Sequence, residues 1–210
     1  APLPELMGLE FEETAGGELP FTFEVIHDTE TEFHIEIING EERIRVDDIT
    51  IGLDRSTAKD TVLINFPLYE SYIKAIFEER IMEGVWVVPS RGNYQIPFLA
   101  KYGEGHRFTT VRKKPVMDIS GKWEVTFLDE DPYKGIGEFK QKGNIVTGTF
   151  MTETGDYRFL EGEIQENKVY LSVFDGAHAF LYEAKINAND STMIGSFRSG
   201  KHYKTVWEAK

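Results

Sequence analysis

Apolar and polar residues alternate along most of this sequence, and turn residues interrupt the alternation about every eight to twelve positions. Gly, Asn, Asp and Pro provide the interruptions, as at Asn39-Gly40 and Asp175-Gly176. Alternation places successive side chains on opposite faces of a strand, and short strands at this spacing are typical of sandwiches and barrels. The pattern therefore predicts an all-β protein.

The second half shows the pattern most clearly. Its connections are short and have turn chemistry, which favours an antiparallel up-and-down order. Eight strands in that order tend to close into a barrel, because closure removes the exposed edges. The predicted strands are Lys122–Leu128, Gly135–Lys142, Ile145–Thr152, Tyr157–Gln165, Lys168–Phe174, Ala179–Ile186, Met193–Arg198 and Tyr203–Ala209.

The first half repeats the pattern less regularly, and we expect a second eight-stranded barrel there. In Tyr69–Arg80 the apolar residues fit a helix and a strand equally well, so both stay open. The predicted strands are Met7–Glu12, Phe21–His27, Glu32–Ile38, Arg43–Leu53, Thr61–Phe66, Ser71–Phe77, Met82–Val88 and Tyr94–Lys101.

The two halves also match each other in sequence, which indicates an internal duplication, although a shared β architecture would produce part of the match. Met82-Glu83-Gly84-Val85-Trp86 aligns with Met193-Ile194-Gly195-Ser196-Phe197, and Gly40-Glu41-Glu42-Arg43 aligns with Gly155-Asp156-Tyr157-Arg158. We therefore predict one domain at residues 1–111, a polar linker at 112–120 and a second domain at 121–210.

Charge and composition exclude several classes of function. The net charge of −13 is spread along the chain, so nucleic acid and anionic membrane surfaces are not expected partners. No apolar run is long enough to span a bilayer, so membrane insertion is not expected. With no cysteine, thiol chemistry and thiolate metal sites are excluded within this chain. The sequence begins at Ala1 without a Met, and we expect the natural protein to be longer.

Candidate catalytic and metal-binding groups do not converge in the sequence. His27 and His34 would lie on opposite faces if one strand held both, and no third ligand accompanies them. Asp129-Glu130-Asp131 lacks the pattern of a calcium loop. We therefore predict no catalytic residue, no metal site and no cofactor.

A Gly-x-Trp sequence at Gly121-Lys122-Trp123 opens the second predicted barrel and resembles the first strand of lipocalin-like barrels. The resemblance implies that Trp123 plugs the closed end, with Gly121 as a structural residue. Trp207 in the last strand would then lie beside Trp123, and Lys122 or Arg198 would cover an indole ring. Seven Phe residues in these strands favour a barrel filled with side chains over one that holds a small ligand.

A set of longer stretches resembles the region ahead of the thioredoxin domain in exported TlpA-like thiol–disulfide oxidoreductases of Bacteroidetes-type bacteria. The resemblance covers nearly the whole chain from about residue 16. The stretches are Gly17-Glu18-Leu19-Pro20-Phe21, Ile38-Asn39-Gly40-Glu41-Glu42-Arg43-Ile44, Asn93-Tyr94-Gln95-Ile96-Pro97-Phe98, Ser120-Gly121-Lys122-Trp123, Val146-Thr147-Gly148-Thr149-Phe150, Gly155-Asp156-Tyr157-Arg158 and Phe174-Asp175-Gly176-Ala177-His178-Ala179-Phe180.

The resemblance implies a non-catalytic accessory or binding region whose parent is an enzyme of the periplasm or cell envelope. The family's Cys-x-x-Cys lies in a downstream thioredoxin-like domain, which would be the partner of this region together with envelope protein substrates. The alternative is a calycin-like carrier of a small apolar ligand. For a binding surface, Tyr157, Arg158, Asp175 and His178 are the predicted residues, because they lie at turns or strand starts where a barrel presents its mouth.

Overall fold

A computed structural model describes the backbone of residues 5–13, 17–92 and 94–210, with side chains from Glu18 onward; Asn93 lies outside the described residues. The first nine strands are β1 Glu5–Glu13, β2 Gly17–His27, β3 Phe33–Asn39, β4 Glu42–Val46, β5 Ile49–Asp54, β6 Lys59–Phe66, β7 Ser71–Glu78, β8 Ile81–Val88 and β9 Tyr94–Tyr102. The other nine are β10 Gly121–Leu128, β11 Tyr133–Lys142, β12 Ile145–Thr152, β13 Gly155–Asp156, β14 Leu160–Gln165, β15 Lys168–Phe174, β16 Ala179–Asn187, β17 Thr192–Ser199 and β18 Tyr203–Ala209. The all-β prediction is confirmed.

The chain divides into two compact units, and neither is one continuous stretch of sequence. Unit 1 comprises residues 1–38, 42–107 and 174–178. Unit 2 comprises residues 39–41, 108–173 and 179–210. Two short segments thus differ from their neighbours in sequence. Asn39–Glu41 belongs to unit 2 although the residues on both sides belong to unit 1, and Phe174–His178 belongs to unit 1 although the residues on both sides belong to unit 2.

Unit 2 contains a closed antiparallel barrel. Its sheet runs in the order β11-β10-β18-β17-β16-β15-β14-β12-β13, and a further pairing of β11 with β12 closes it. Without the two-residue β13, eight strands form the wall, as predicted. Closure leaves the long strands of the wall paired on both sides, which removes the exposed edges of an open sheet.

Unit 1 contains a nine-stranded antiparallel sheet in the order β4-β3-β2-β1-β9-β8-β7-β6-β5. Its edge strands, β4 and β5, are consecutive in sequence. They correspond to the single predicted strand Arg43–Leu53, which the structure divides at Asp47 and Asp48. Asn65 N donates to Asp48 O at 2.9 Å, and Ile49 N donates to Asp47 O at 2.9 Å, so the bend has its own hydrogen bonds. Closure of this sheet into a second barrel stays a prediction.

The ambiguous segment Tyr69–Arg80 is a strand for most of its length. A 3-10 turn at Pro67–Tyr69 precedes β7, and the left-handed Glu70 links the two. The alternating side chains of β7 bury Ile73 and Ala75 and expose Lys74. Among the described residues, no helix has the length and apolarity needed to cross a membrane.

Trp123 is the third residue of β10 and is buried in the barrel core, and its Nε1 donates to Ile119 O at 2.9 Å. Trp207 does not lie opposite Trp123 in the ladder, because the register of β10 and β18 pairs Trp207 with Phe127. Arg198 does not cover an indole either. It lies on the outer face of the wall, where its Nη1 donates to Glu183 Oε2 at 2.9 Å.

The predicted linker at residues 112–120 is part of unit 2. Lys113 N donates to Gln165 Oε1 at 2.6 Å, and Val116 N donates to Glu166 O at 2.9 Å. Ile119 is fully buried in the barrel core. The segment therefore packs along the barrel, and its polar composition reflects the side that faces solvent.

Candidate functional site

The structure divides the four predicted binding residues between the units. Tyr157 and Arg158 belong to unit 2, whereas Asp175 and His178 belong to unit 1. The two pairs therefore belong to different units.

Asp175 and His178 form a hydrogen-bonded turn. The carboxylate of Asp175 is fully buried. Its Oδ1 accepts from the backbone N–H of Ala177 at 2.8 Å and of His178 at 2.7 Å, and its Oδ2 lies 3.0 Å from His178 Nδ1. Burial raises the pKa of Asp175, but the hydrogen bonds from His178 and Ala177 outweigh it and hold the pKa below its ordinary value. This geometry indicates a structural role for Asp175.

Tyr157 lies over the interior of the barrel in unit 2. Its ring packs edge-on against Phe180 and Phe197, with ring centres 5.4 and 5.1 Å apart. Its hydroxyl lies 3.1 Å from the hydroxyl of Tyr133. Burial raises the pKa of Tyr133 to about 12 and also raises the pKa of Tyr157. Both tyrosines are therefore neutral over the physiological range of pH.

Beneath Tyr157, aromatic rings fill the barrel. Tyr182 stacks on Phe150 at 4.5 Å and on Phe197 at 4.4 Å between ring centres. Trp207 packs on Phe150 at 5.1 Å. These contacts place side chains where a calycin-like carrier holds its ligand.

Arg158 lies in a bulge of the barrel wall. Gly148 of β12 pairs with Leu160, and Met151 pairs with Asp156, so two residues of β12 face three residues of the neighbouring segment. The extra residue is accommodated by the left-handed backbone of Arg158, whose φ is 65°. Such bulges occur near functional sites, where they redirect a side chain.

A pocket of about 430 Å³ lies beside this bulge on the outer wall of unit 2. Residues of β11 and β12 form its floor, and the Gly40-Glu41 turn and the bulge also contribute to its lining. The lining residues are Gly40, Glu41, Glu138, Lys140, Thr147, Gly148, Thr149, Asp156, Arg158, Phe159 and Leu160.

Strand register sets the floor of the pocket. Glu138 is opposite Thr149, and Lys140 is opposite Thr147. Directly opposed side chains in antiparallel strands have Cβ atoms about 4.5–5.5 Å apart, so the four form a compact polar array. On the next strand Glu161 is opposite Thr147, and its Oε2 accepts from Gly40 N at 2.8 Å. That bond fixes the Gly40-Glu41 turn over the floor.

Sequence reasoning found Arg158 but not the rest of this pocket. Phe159 is 53% exposed although it is aromatic, and the sequence did not distinguish it from the other Phe residues of the predicted strands. The contact of Gly40 with Glu161 had no sequence signal, because the two residues are separated by 121 positions.

A second cluster lies in unit 1 around His34, which is 3% exposed. Its Nδ1 lies 2.7 Å from Asp28 Oδ2, and the possible ligand atoms of Asp28, His34 and Asp47 lie within 4.8 Å of one another. The guanidinium of Arg45 lies among them, with Nε donating to Asp47 Oδ1 at 2.8 Å and Nη2 to Asp28 Oδ2 at 3.3 Å. A metal ion would have to replace that cation.

No protein-family model matches this sequence, and no curated protein matches it at a significant level. Among solved structures, a protein of unknown function from the DUF3598 family of Nostoc punctiforme is similar with a TM-score of 0.31 and 10% identity, over 98% of this chain and 93% of that one. A predicted outer membrane protein of Bacteroides fragilis is similar with a TM-score of 0.31 and 9% identity, over 99% and 95%. TM-scores of this size support no conclusion about this chain.

Proposed function

We propose that this chain is a non-catalytic binding region, accessory to an exported thiol–disulfide oxidoreductase, and that the pocket beside Arg158 is its binding site. The enzyme's thioredoxin-like domain and envelope proteins are the proposed partners, and the periplasm or cell envelope is the proposed location. These follow from the resemblance described above.

One observation carries the proposal. Three of the stretches that carry the family resemblance are far apart in sequence yet line the same pocket. They contribute the Gly40-Glu41 turn, the floor residues Thr147 to Thr149, and Asp156 with Arg158 in the bulge. Convergence of separate motifs on one pocket is expected of a binding site.

The pocket also has the size and lining of a binding site. Its volume falls within the range of roughly 300–1,000 Å³ that is common for ligand pockets. Phe159 provides exposed apolar area, and Arg158 provides a multidentate donor. Aromatic and Arg side chains are the residue types that most often contribute strongly to binding.

A carrier of a small apolar ligand is the second candidate. The unpaired hydroxyl of Tyr182 in the barrel interior favours it, because a ligand with a polar group would satisfy that atom. The stacked rings of Phe150 and Phe197 oppose it, because a ligand of ordinary size would have to displace them.

The accessory role is tested by sequencing the gene beyond the codon for Lys210. We expect a thioredoxin-like segment with a Cys-x-x-Cys motif. Its absence from the parent gene would overturn the accessory role, while the pocket would remain a binding site to be tested on its own.

The pocket is tested by titrating the isolated redox domain into this chain and following amide shifts by NMR. Shifts concentrated at Thr147–Leu160 and weakened in Arg158→Ala support the proposal. The control is Arg55→Ala, which removes an exposed Arg in unit 1 outside the pocket. Equal effects of the two variants would assign the partner to another surface.

A further inference from the structure

We infer that the pocket beside Arg158 binds a neutral saccharide. The inference rests on the proposed binding role of this pocket and assigns it a small ligand in addition to the protein partners proposed above. Three features lead to it: charges of both signs in the lining, a floor of alternating donors and acceptors, and an exposed aromatic ring.

The charges around the pocket select against a charged ligand. Glu41, Glu138 and Asp156 contribute carboxylates, and Lys140 and Arg158 contribute cations. A ligand of either net charge would meet like charges from part of this lining, which costs binding energy. A neutral ligand with many hydroxyls can use both kinds of group, because each hydroxyl donates one hydrogen bond and accepts others.

The floor presents these groups at close spacing. The hydroxyls of Thr147 and Thr149 alternate with the carboxylate of Glu138 and the ammonium of Lys140 across the β11–β12 ladder. Carboxylates accept only, ammonium groups donate only, and Thr hydroxyls do both. Neighbouring hydroxyls of one sugar ring could therefore be satisfied simultaneously.

Phe159 provides the apolar surface that the C–H face of a sugar ring requires. Its side chain is 53% exposed, although Leu160 beside it is fully buried. An exposed ring face carries partial negative charge and attracts the weakly positive C–H groups of a sugar. Its location at the side of a polar floor provides stacking on one side of the ligand and hydrogen bonds on another.

Other occupants fit less well. An extended peptide that binds by strand addition needs an exposed strand edge. Here β12 is paired with β11 on one side and with β14 on the other. A purely apolar ligand would bury the carboxylates and hydroxyls of the floor without hydrogen bonds, which is costly.

The test is a titration of this chain with four neutral disaccharides (cellobiose, maltose, lactose and chitobiose), followed by amide shifts in NMR. Glucuronate and glucosamine serve as anionic and cationic comparisons. We expect at least one disaccharide to bind with a millimolar dissociation constant and to shift resonances of the floor. Both charged sugars should bind more weakly.

Two variants assign the interactions. Phe159→Ala should weaken binding about two- to tenfold through loss of stacking. Thr147→Val keeps the shape and removes one hydroxyl, so about fivefold weaker binding is expected. Thr126→Val on the outer face of β10 is the matched control and should bind normally.

Three results would overturn the inference: no binding by any of the four disaccharides, stronger binding of a charged sugar, or equal affinities of Phe159→Ala and the wild type. Each leaves the accessory role intact, because that role depends on the parent gene and the redox domain.

Discussion

Gly195 of β17 stands directly opposite Ala184 of β16, and the two backbones approach so closely that a side chain at Gly195 has no space. A Cβ added to Gly195 would overlap the carbonyl oxygen of Glu183 and lie 2.6 Å from the Cα of Ala184. In the first sheet Gly84 of β8 is opposite Ala75 of β7, and an added Cβ would lie 2.5 Å from that Cα. The same close contact thus occurs at matching places in both sheets.

Replacement of either glycine by alanine should destabilise the protein. The obstructing atoms of Glu183 and Ala184 belong to the backbone, so relief requires movement of a strand and is expected to cost about 1–3 kcal/mol of unfolding free energy. Urea unfolding of Gly195→Ala and Gly84→Ala measures the loss. Gly52→Ala is the control, because its added Cβ would meet only Thr61 Oγ1 at 3.1 Å. Losses no larger than that of Gly52→Ala would contradict the close contact.

The hypothesis of duplication gains support from these glycines, because the register around them is also shared. The matching pairs are Met82 with Ala100 and Gly84 with Phe98 in the first sheet, and Met193 with Ala209 and Gly195 with Trp207 in the second. Shared strand order follows from any β meander, whereas shared register at matched residues is more specific. A common origin of the halves stays a hypothesis.

Strand positions were predictable because alternation and turn residues are local signals. The bend at Asp47-Asp48 was not, because it lies inside an alternating run and depends on hydrogen bonds from Asn65 and Arg45. Prediction of the pocket failed for a related reason. Alternation tells which side chains share a face, but pairing register decides that Lys140 is opposite Thr147.

Acid should destabilise the wild type partly through Asp175. The pKa of its carboxyl is lower in the folded chain than its ordinary value of 3.8, despite burial, because of its hydrogen bonds with His178 and Ala177. A depressed folded pKa gives stability that is present above the unfolded pKa and is lost as pH falls through the folded pKa. The loss is therefore expected below about pH 4.

Asp175→Asn tests this contribution by urea unfolding between about pH 7 and pH 2. At pH 7 the variant should lose about 1–3 kcal/mol, because hydrogen bonds to a buried charged group are weakened. Below about pH 4 its stability should fall less steeply than that of the wild type. Asp131→Asn removes an exposed carboxyl and serves as the control. An acid dependence of Asp175→Asn as steep as that of the wild type would exclude the carboxylate as its source.

Arg45 should keep metal ions out of the cluster around His34. Its guanidinium donates to Asp47 and Asp28, so Zn²⁺ must displace this guanidinium before it can bind the same oxygens. Imidazole and carboxylate groups are common zinc ligands. The variant Arg45→Ala retains Asp28, His34 and Asp47, whose possible ligand atoms lie within 4.8 Å of one another.

Thermal unfolding with and without ZnCl₂ checks this prediction. Arg45→Ala should be stabilised by about 2.7 kcal/mol when free zinc is a hundredfold above its dissociation constant. The wild type should change little at the same concentration. The double variant Arg45→Ala/His34→Ala should lose the gain, and an equal zinc response of the wild type would show that Arg45 does not block the cluster.

The hydroxyl of Tyr182 should be a source of instability in the barrel of unit 2. Tyr182 is fully buried, and its Oη has no hydrogen-bond partner within the described part of the chain. A buried hydroxyl without a partner costs about 1–3 kcal/mol, so Tyr182→Phe should raise the unfolding free energy by about 1 kcal/mol. The ring contacts with Phe150 and Phe197 are retained in the variant, which isolates the effect of the oxygen.

Tyr133→Phe is the matched comparison, because the hydroxyl of Tyr133 lies 3.1 Å from that of Tyr157. Its removal should lower the unfolding free energy by about 1 kcal/mol, since one hydrogen bond is lost and Tyr157 keeps a half-buried hydroxyl. Urea unfolding at pH 7 of the two variants should therefore give changes of opposite sign. A loss of stability in Tyr182→Phe would instead mean that a bound water or ligand satisfies the hydroxyl, and the interior of the barrel would then be a binding site.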